Sequence, residues 1–332
     1  MSVQTGFGVN YKALQANWAN DQKYFNAIGL NNIRVDIAQI PQPWAAGTPS
    51  SGGSYADVFA YWRLCAQTFT SAGFYASWGV AAPQTNNLPI TSSNWSSYHD
   101  AVVAEATYLQ AQNITIGDFS IGNELELQVD GTTMTTTQLF VNLRQLATDV
   151  KAVYTLSPIS YGFSFFTSSQ RTDWINNGLG GLDILSIHVY GNINLNTMTV
   201  GTGSYPSVAA FISAFGSKCY ISEFNLDATD SNLVAFPGSL AISNMNNFLN
   251  TYIINKNINK FQLYSWVGLN NGNNRFAQLY TSGAMNPMWF DFFTSQPMFY
   301  TPRSATVSRS ATPNRGATVT RGATPIRNLI FS

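Results

Sequence analysis

Apolar residues follow two rhythms along this chain. Short runs rich in β-branched and aromatic residues recur at 5–10 (TGFGVN), 32–37 (NIRVDI), 74–80 (FYASWGV), 117–124 (GDFSIGNE), 159–166 (ISYGFSFF), 182–190 (LDILSIHVY), 218–225 (KCYISEFN) and 260–267 (KFQLYSWV). Their length and composition are those of β-strands. Between them lie stretches such as ALQANWANDQKYFNAIG, SYADVFAYWRLCAQTFTSAG and TTTQLFVNLRQLATDVKAVY. There apolar residues return every three or four positions and Ser or Thr stands near the start, as in amphipathic helices. Eight strand candidates, each followed by a helix or long loop, predict an α/β fold: a (β/α)8 TIM barrel over residues 1–300. A doubly wound open sheet is the rival. It would bring a GxGxxG or phosphate-loop turn after the first strand, and neither is present.

In such a barrel, chemistry sits at the C-terminal ends of the strands. The residues expected there are polar and aromatic: Arg34 and Asp36 on strand 2, Trp78 on strand 3, Asn123 and Glu124 closing strand 4, His188 and Tyr190 on strand 6, Glu223 on strand 7, Trp266 on strand 8. The chain holds only four glutamates, at 105, 124, 126 and 223, so two of them ending strand-like runs is informative. Strands 4 and 7 face each other across a barrel mouth, which lets Glu124 and Glu223 flank one substrate. Two such carboxyls are what glycoside hydrolysis needs, one as acid and one ionised. A separation of roughly 5–5.5 Å implies a covalent, retaining mechanism and roughly 6.5–9.5 Å an inverting one. Glu126 is expected to cap a loop or face solvent.

The order of these fragments resembles clan A of the glycoside hydrolases, the retaining (β/α)8 enzymes, over about residues 5–295. IGNE looks like the clan's acid/base motif and ISEF like its nucleophile strand, while RVD, IHVY and YSWVG sit where the clan keeps Arg, His/Tyr and Trp. The resemblance implies that Glu124 is the general acid/base and Glu223 the nucleophile. It implies that Asn123 binds the sugar 2-hydroxyl, that Arg34 and Tyr190 hold Glu223 ionised and oriented, and that Trp266 floors the sugar site. His188 would contact substrate or the acid/base residue. Many members read Asn-Glu-Pro, whereas Leu125 follows Glu124 here. Trp44 and Trp78 fall near strand ends as candidate sugar platforms, and several platforms would suit an endo-acting enzyme on a polymer.

Composition narrows the alternatives. Charged residues make up 10% of the chain, well below the roughly 25% usual for soluble domains. Net charge is zero, but residues 301–332 carry five Arg and no acid, leaving the rest mildly acidic and a poor nucleic-acid binder. Two distant cysteines, Cys65 and Cys219, read as core thiols rather than a disulfide framework. No signal peptide is visible and no apolar run reaches the roughly 18 residues of a membrane span. No HExxH and no GxSxG occurs, so no metal, no cofactor and no serine triad is expected. Arg303, Arg309, Arg315, Arg321 and Arg327 recur every six residues. That segment, 301–332, reads either as a flexible basic tail or as an extended arm docking on a larger assembly, in the latter case on a virion. The expectation is a retaining glycosidase acting on a β-linked polysaccharide. A non-catalytic carbohydrate-binding surface protein on the same barrel is the rival, and a transglycosylase the nearer variant.

Overall fold

The computed structural model describes residues 6–11, 18–35, 38–39, 55–82, 89–164, 167–190, 193–194, 199–200, 211–225, 246, 260–263, 280–281, 284–285 and 287–295. Asp36, Trp44 and Trp266, and the whole arginine-repeat tail, lie outside the described residues. Contacts divide the chain into one unit of Met1–Thr301 and another of Pro302–Ser332.

Eight strands build the first unit: β1 (Gly6–Tyr11), β2 (Asn32–Val35), β3 (Tyr75–Ala81), β4 (Asp118–Asn123), β5 (Ile159–Phe163), β6 (Ile184–Tyr190), β7 (Cys219–Asn225) and β8 (Lys260–Leu263). Each pairs in parallel with its sequence neighbours, and β8 pairs with β1 to close the ring. The fold is a (β/α)8 TIM barrel. Around it run α1 (Trp18–Ala27), α2 (Tyr55–Ser71), α3 (Trp95–Ala111), α4 (Thr136–Val153), α5 (Ser168–Asn177) and α6 (Pro287–Ser295). Helix α4 starts on a full capping box: Thr135 accepts from the Gln138 N–H, and the Gln138 side chain accepts from Thr135, satisfying donors the first turn would otherwise leave open. No helix among the described residues is long and apolar enough to cross a membrane.

Strand alternation sorts the side chains into two layers. Ile33, Val35, Ala76, Trp78, Phe119, Ile121, Leu185, Ile187 and Ile221 belong to the buried hydrophobic core. Rings knit it, as in Phe119 edge-on to Tyr154 at 6.0 Å. The intervening positions, among them Arg34, Ser77, Asp118, Ser120, Ser160, Ser186 and His188, are buried and polar, and the buried Tyr220 brings a hydroxyl to the same side. Near the strand starts they form a floor. Asp118, fully buried, accepts from Ser160 Oγ at 2.6 Å, Ser77 Oγ at 2.7 Å and Tyr220 Oη at 3.2 Å. Lys260 Nζ stands 3.7 Å from the same carboxylate, between the ring faces of Tyr75 and Tyr220.

Two strands break their alternation before they end. Along β4, Ser120 pairs with Ser160 and Asn123 with Gly162, so β4 carries one extra residue there. Along β7, Ile221 pairs with Ile187 but Glu223 with His188, and the neighbouring β8 registers the same shift. These are β-bulges, the device that re-aims side chains beside functional sites.

Candidate active site

The bulges decide which residues meet. Strict alternation would send Asn123 and Glu223 outward, opposite to Ser120 and Tyr220. The extra residue in each strand turns both inward, at the C-terminal end of the barrel. Arg34, from β2, meets them: its Nη1 donates to Glu223 Oε1 and its Nη2 to Asn123 Oδ1 at 2.5 Å. The Arg34 and Glu223 side chains are 7% and 10% exposed. Removing one member of a pair this buried leaves the other uncompensated, at about 3–5 kcal/mol.

His188, on β6, bridges the two glutamates. Its Nδ1 lies 2.7 Å from Glu124 Oε1, and its Nε2 lies 3.6 Å from Glu223 Oε1 and 3.4 Å from Arg34 Nη1. A guanidinium only donates, so Nε2 faces it as acceptor and Nδ1–H donates to Glu124. Oxygens of Glu124 and Glu223 and a nitrogen of His188 all lie within 4.8 Å of one another. Three such groups could hold a metal ion. Here, however, the Arg34 guanidinium occupies the cation position beside Glu223 and His188.

Gly162 makes room for this network. A Cβ at that position would meet Asn123 Oδ1 at 2.8 Å and His188 Nε2 at 3.0 Å. Glu124 itself has left-handed backbone, with φ 50° and ψ 35°, which costs a non-glycine residue on the order of 1–3 kcal/mol unless its surroundings enforce it. The surroundings do. Its N–H donates to Gly162 O at 2.7 Å, and the next N–H, of Leu125, donates to Tyr161 Oη at 2.9 Å. The Tyr98 hydroxyl, from α3, braces the strand below by donating to Ile121 O at 2.8 Å.

Of the residues singled out from sequence, Glu124, Glu223, Arg34, Asn123 and His188 converge. Tyr190 ends β6 opposite Asn225, where its backbone is described. Trp78 is a correction. Alternation places it with the outer layer, 1% exposed, with its ring 6.0 Å from that of Phe119, so it offers no face to a sugar. Glu126 is another correction: it is buried, and accepts from the Tyr161 hydroxyl and from Ser164 N–H. Burial raises its pKa, with those two donors pulling the other way. Gly162 and Tyr161 were not foreseen, although a lone glycine inside a strand pattern is a signal of close approach.

No protein-family model matches the sequence, and no curated protein does. Solved structures do match. An exo-β-1,4-mannosidase, Op5Man5 from Opitutaceae bacterium strain TAV5, superposes with a TM-score of 0.61 at 14% identity, over 87% of this chain and 58% of that one. The chain therefore spans less than two thirds of that relative. Fungal β-1,4-galactanases superpose at 0.59 and 13% identity, over 88% of this chain and 99% of theirs. The catalytic domain of the major endoglucanase from Xanthomonas campestris pv. campestris follows at 0.57 and 16% identity, over 86% and 92%. The chain superposes on these structures over most of its length. At these identities the likeness is one of fold.

Proposed function

We propose that this protein is a retaining glycoside hydrolase that cleaves β-linked glycosidic bonds within a polysaccharide. The observation that carries the reading is the pair Glu124 and Glu223. They come from facing strands, approach within 4.8 Å, and have unlike partners, an imidazole nitrogen for one and a guanidinium for the other. That spacing fits roughly 5–5.5 Å better than the 6.5–9.5 Å an intervening water requires. Similarity of fold to a mannosidase, galactanases and an endoglucanase supports the same substrate class.

The chemistry runs in two steps. Arg34 favours the ionised form of Glu223, whose oxygen attacks the anomeric carbon. The glycosidic C–O bond breaks, and its electron pair leaves with the oxygen, which takes the proton of Glu124. Water then attacks the glycosyl-enzyme ester, Glu124 takes the water's proton, and Glu223 departs. With Oδ1 accepting from Arg34, the Asn123 amide offers its Nδ2 hydrogens to the sugar 2-hydroxyl. Transfer to a sugar instead of water needs no other group. In this reading residues 1–300 are the catalytic domain and 301–332 an arm that docks elsewhere.

Hydrolysis of a panel of β-linked polysaccharides and aryl β-glycosides tests the proposal. Glu223→Gln is expected to abolish turnover, and azide added to Glu223→Ala to yield a glycosyl azide of inverted configuration. Binding across the panel with no turnover by the wild type would overturn it in favour of a sugar-binding protein.

A further inference from the structure

Beneath the acid/base residue lies a buried relay that the two-step chemistry does not use. The Leu125 N–H, in the peptide immediately after Glu124, donates to Tyr161 Oη at 2.9 Å. Tyr161 Oη in turn donates to Glu126 Oε2, and Ser164 N–H donates to Glu126 Oε1 at 2.5 Å. Leu125 and Tyr161 have no exposed surface and Glu126 is 5% exposed. A carboxylate in such a place is rare unless it answers specific donors. Glu126 answers two, one from each oxygen, and both belong to β5 or the residue that follows it.

The relay acts on the part of the chain that most needs holding. Glu124 is the described non-glycine residue of left-handed backbone that adjoins the site. On one side its conformation is tied to Gly162 O, and on the other to the Tyr161 hydroxyl. The second tie requires an N–H at position 125, which leucine has and proline lacks. The Tyr161 ring cannot follow a moving turn, since it is wedged against Trp174 with centroids 6.1 Å apart.

We propose that Tyr161 and Glu126 are positioning residues for the acid/base step, fixing the turn that aims the Glu124 carboxyl at the departing oxygen. The proposal rests on the reading of Glu124 as the acid. Its consequence is selective: a misaimed acid slows substrates whose leaving group needs a proton and spares those whose leaving group departs as a stable anion.

The experiment compares Tyr161→Phe and Glu126→Gln with the wild type on two aryl β-glycosides, one with a poorly acidic phenol and one with 2,4-dinitrophenol. Glu124→Ala serves as the reference for a missing acid. Expected for Tyr161→Phe is a kcat/KM loss of about 10–100-fold on the poor leaving group and little loss of kcat/KM, which reports the first step alone, on the dinitrophenyl substrate, with Glu126→Gln between it and wild type. Equal losses on both substrates, or none on either, would overturn the positioning role and leave a fold-stabilising one, which thermal melts would register. If Glu124→Ala itself shows no leaving-group dependence, the acid assignment fails instead. Tyr161→Phe keeps the ring in the core. Should it nonetheless fail to fold, Glu126→Gln alone must show the same selectivity or the proposal falls.

Discussion

Gly162→Ala adds one methyl group and removes no charge, yet the geometry makes it a severe test of the site. The new Cβ would lie 2.8 Å from Asn123 Oδ1 and 3.0 Å from His188 Nε2, where ordinary contact begins at 3.4 Å. Asn123 must therefore retreat by about 0.6 Å and His188 by about 0.4 Å, or β5 must shift. Asn123 is held by Arg34, which also holds Glu223, and His188 contacts both glutamates. Neither can move alone. Overpacking of this kind costs about 1–3 kcal/mol, a fall in Tm of about 2–8 °C. On the proposed function, misplacing these side chains by a fraction of an ångström is expected to lower kcat/KM by about 10–100-fold on an aryl β-glycoside. In an Asn123→Ala background the clash with Oδ1 is gone, and the added methyl should cost markedly less, a coupling that a double-mutant cycle reads directly. Wild-type activity and Tm in Gly162→Ala would refute the network as drawn.

Two further predictions concern pH. Burial pushes the Lys260 ammonium down to about 7 against the pull of Asp118, so between about pH 7 and 10.5 the unfolded chain holds a proton that the native protein sheds, and stability from this group rises with pH. The Tyr75 and Tyr220 ring faces favour the cation and narrow that window. Urea midpoints should climb from about pH 7 to 9.5 in the wild type and lose that slope in Lys260→Met; identical slopes would refute the assignment. At His99, burial opposes the charge, but Asp100 and Asp149, at 2.9 and 3.0 Å, outweigh it and raise the pKa. The His99 contribution is thus full below about 6.5 and lost as pH rises through the higher folded value. His99→Gln should lower stability by at most about 1 kcal/mol in acid, with the difference from wild type gone by about pH 9.

Much of the barrel was legible because strands and helices differ in period. Each of the eight apolar runs overlaps a barrel strand, and the two glutamates that end them reach one mouth. Trp78 shows where the reading went astray. Proximity to a strand end says nothing of which face a residue takes, and counting in twos from Ser77, which bonds Asp118 inside, would have set Trp78 outside. The same counting fails for Tyr220 and Glu223, three apart yet on one side, because a bulge leaves no mark in residue types. Glu126 was hidden for another reason. Its burial depends on Tyr161 and Ser164, 35 and 38 residues away, and no local pattern announces such a pairing. The choice among acid, base and nucleophile came from motif order, not from periodicity.

The bulges of β4 and β7 also set how the protein can change. In a strand of unbroken alternation, deleting a residue reverses every side chain beyond it. Here the extra residue is what brings Asn123 and Glu223 inward. Deleting Ser222 from β7, or Gly122 from β4, would leave Tyr220 and Glu223, or Ser120 and Asn123, two apart, and even alternation alone would then keep each pair on one side. The floor of Asp118, Ser160 and Lys260 lies on the other side of that phase boundary and would keep its partners. A single codon lost at a bulge is then the deletion that each strand absorbs with Asn123 or Glu223 still facing the mouth. The rim would turn outward only if a strand kept its length and lost its bulge, a change in register rather than in the number of residues.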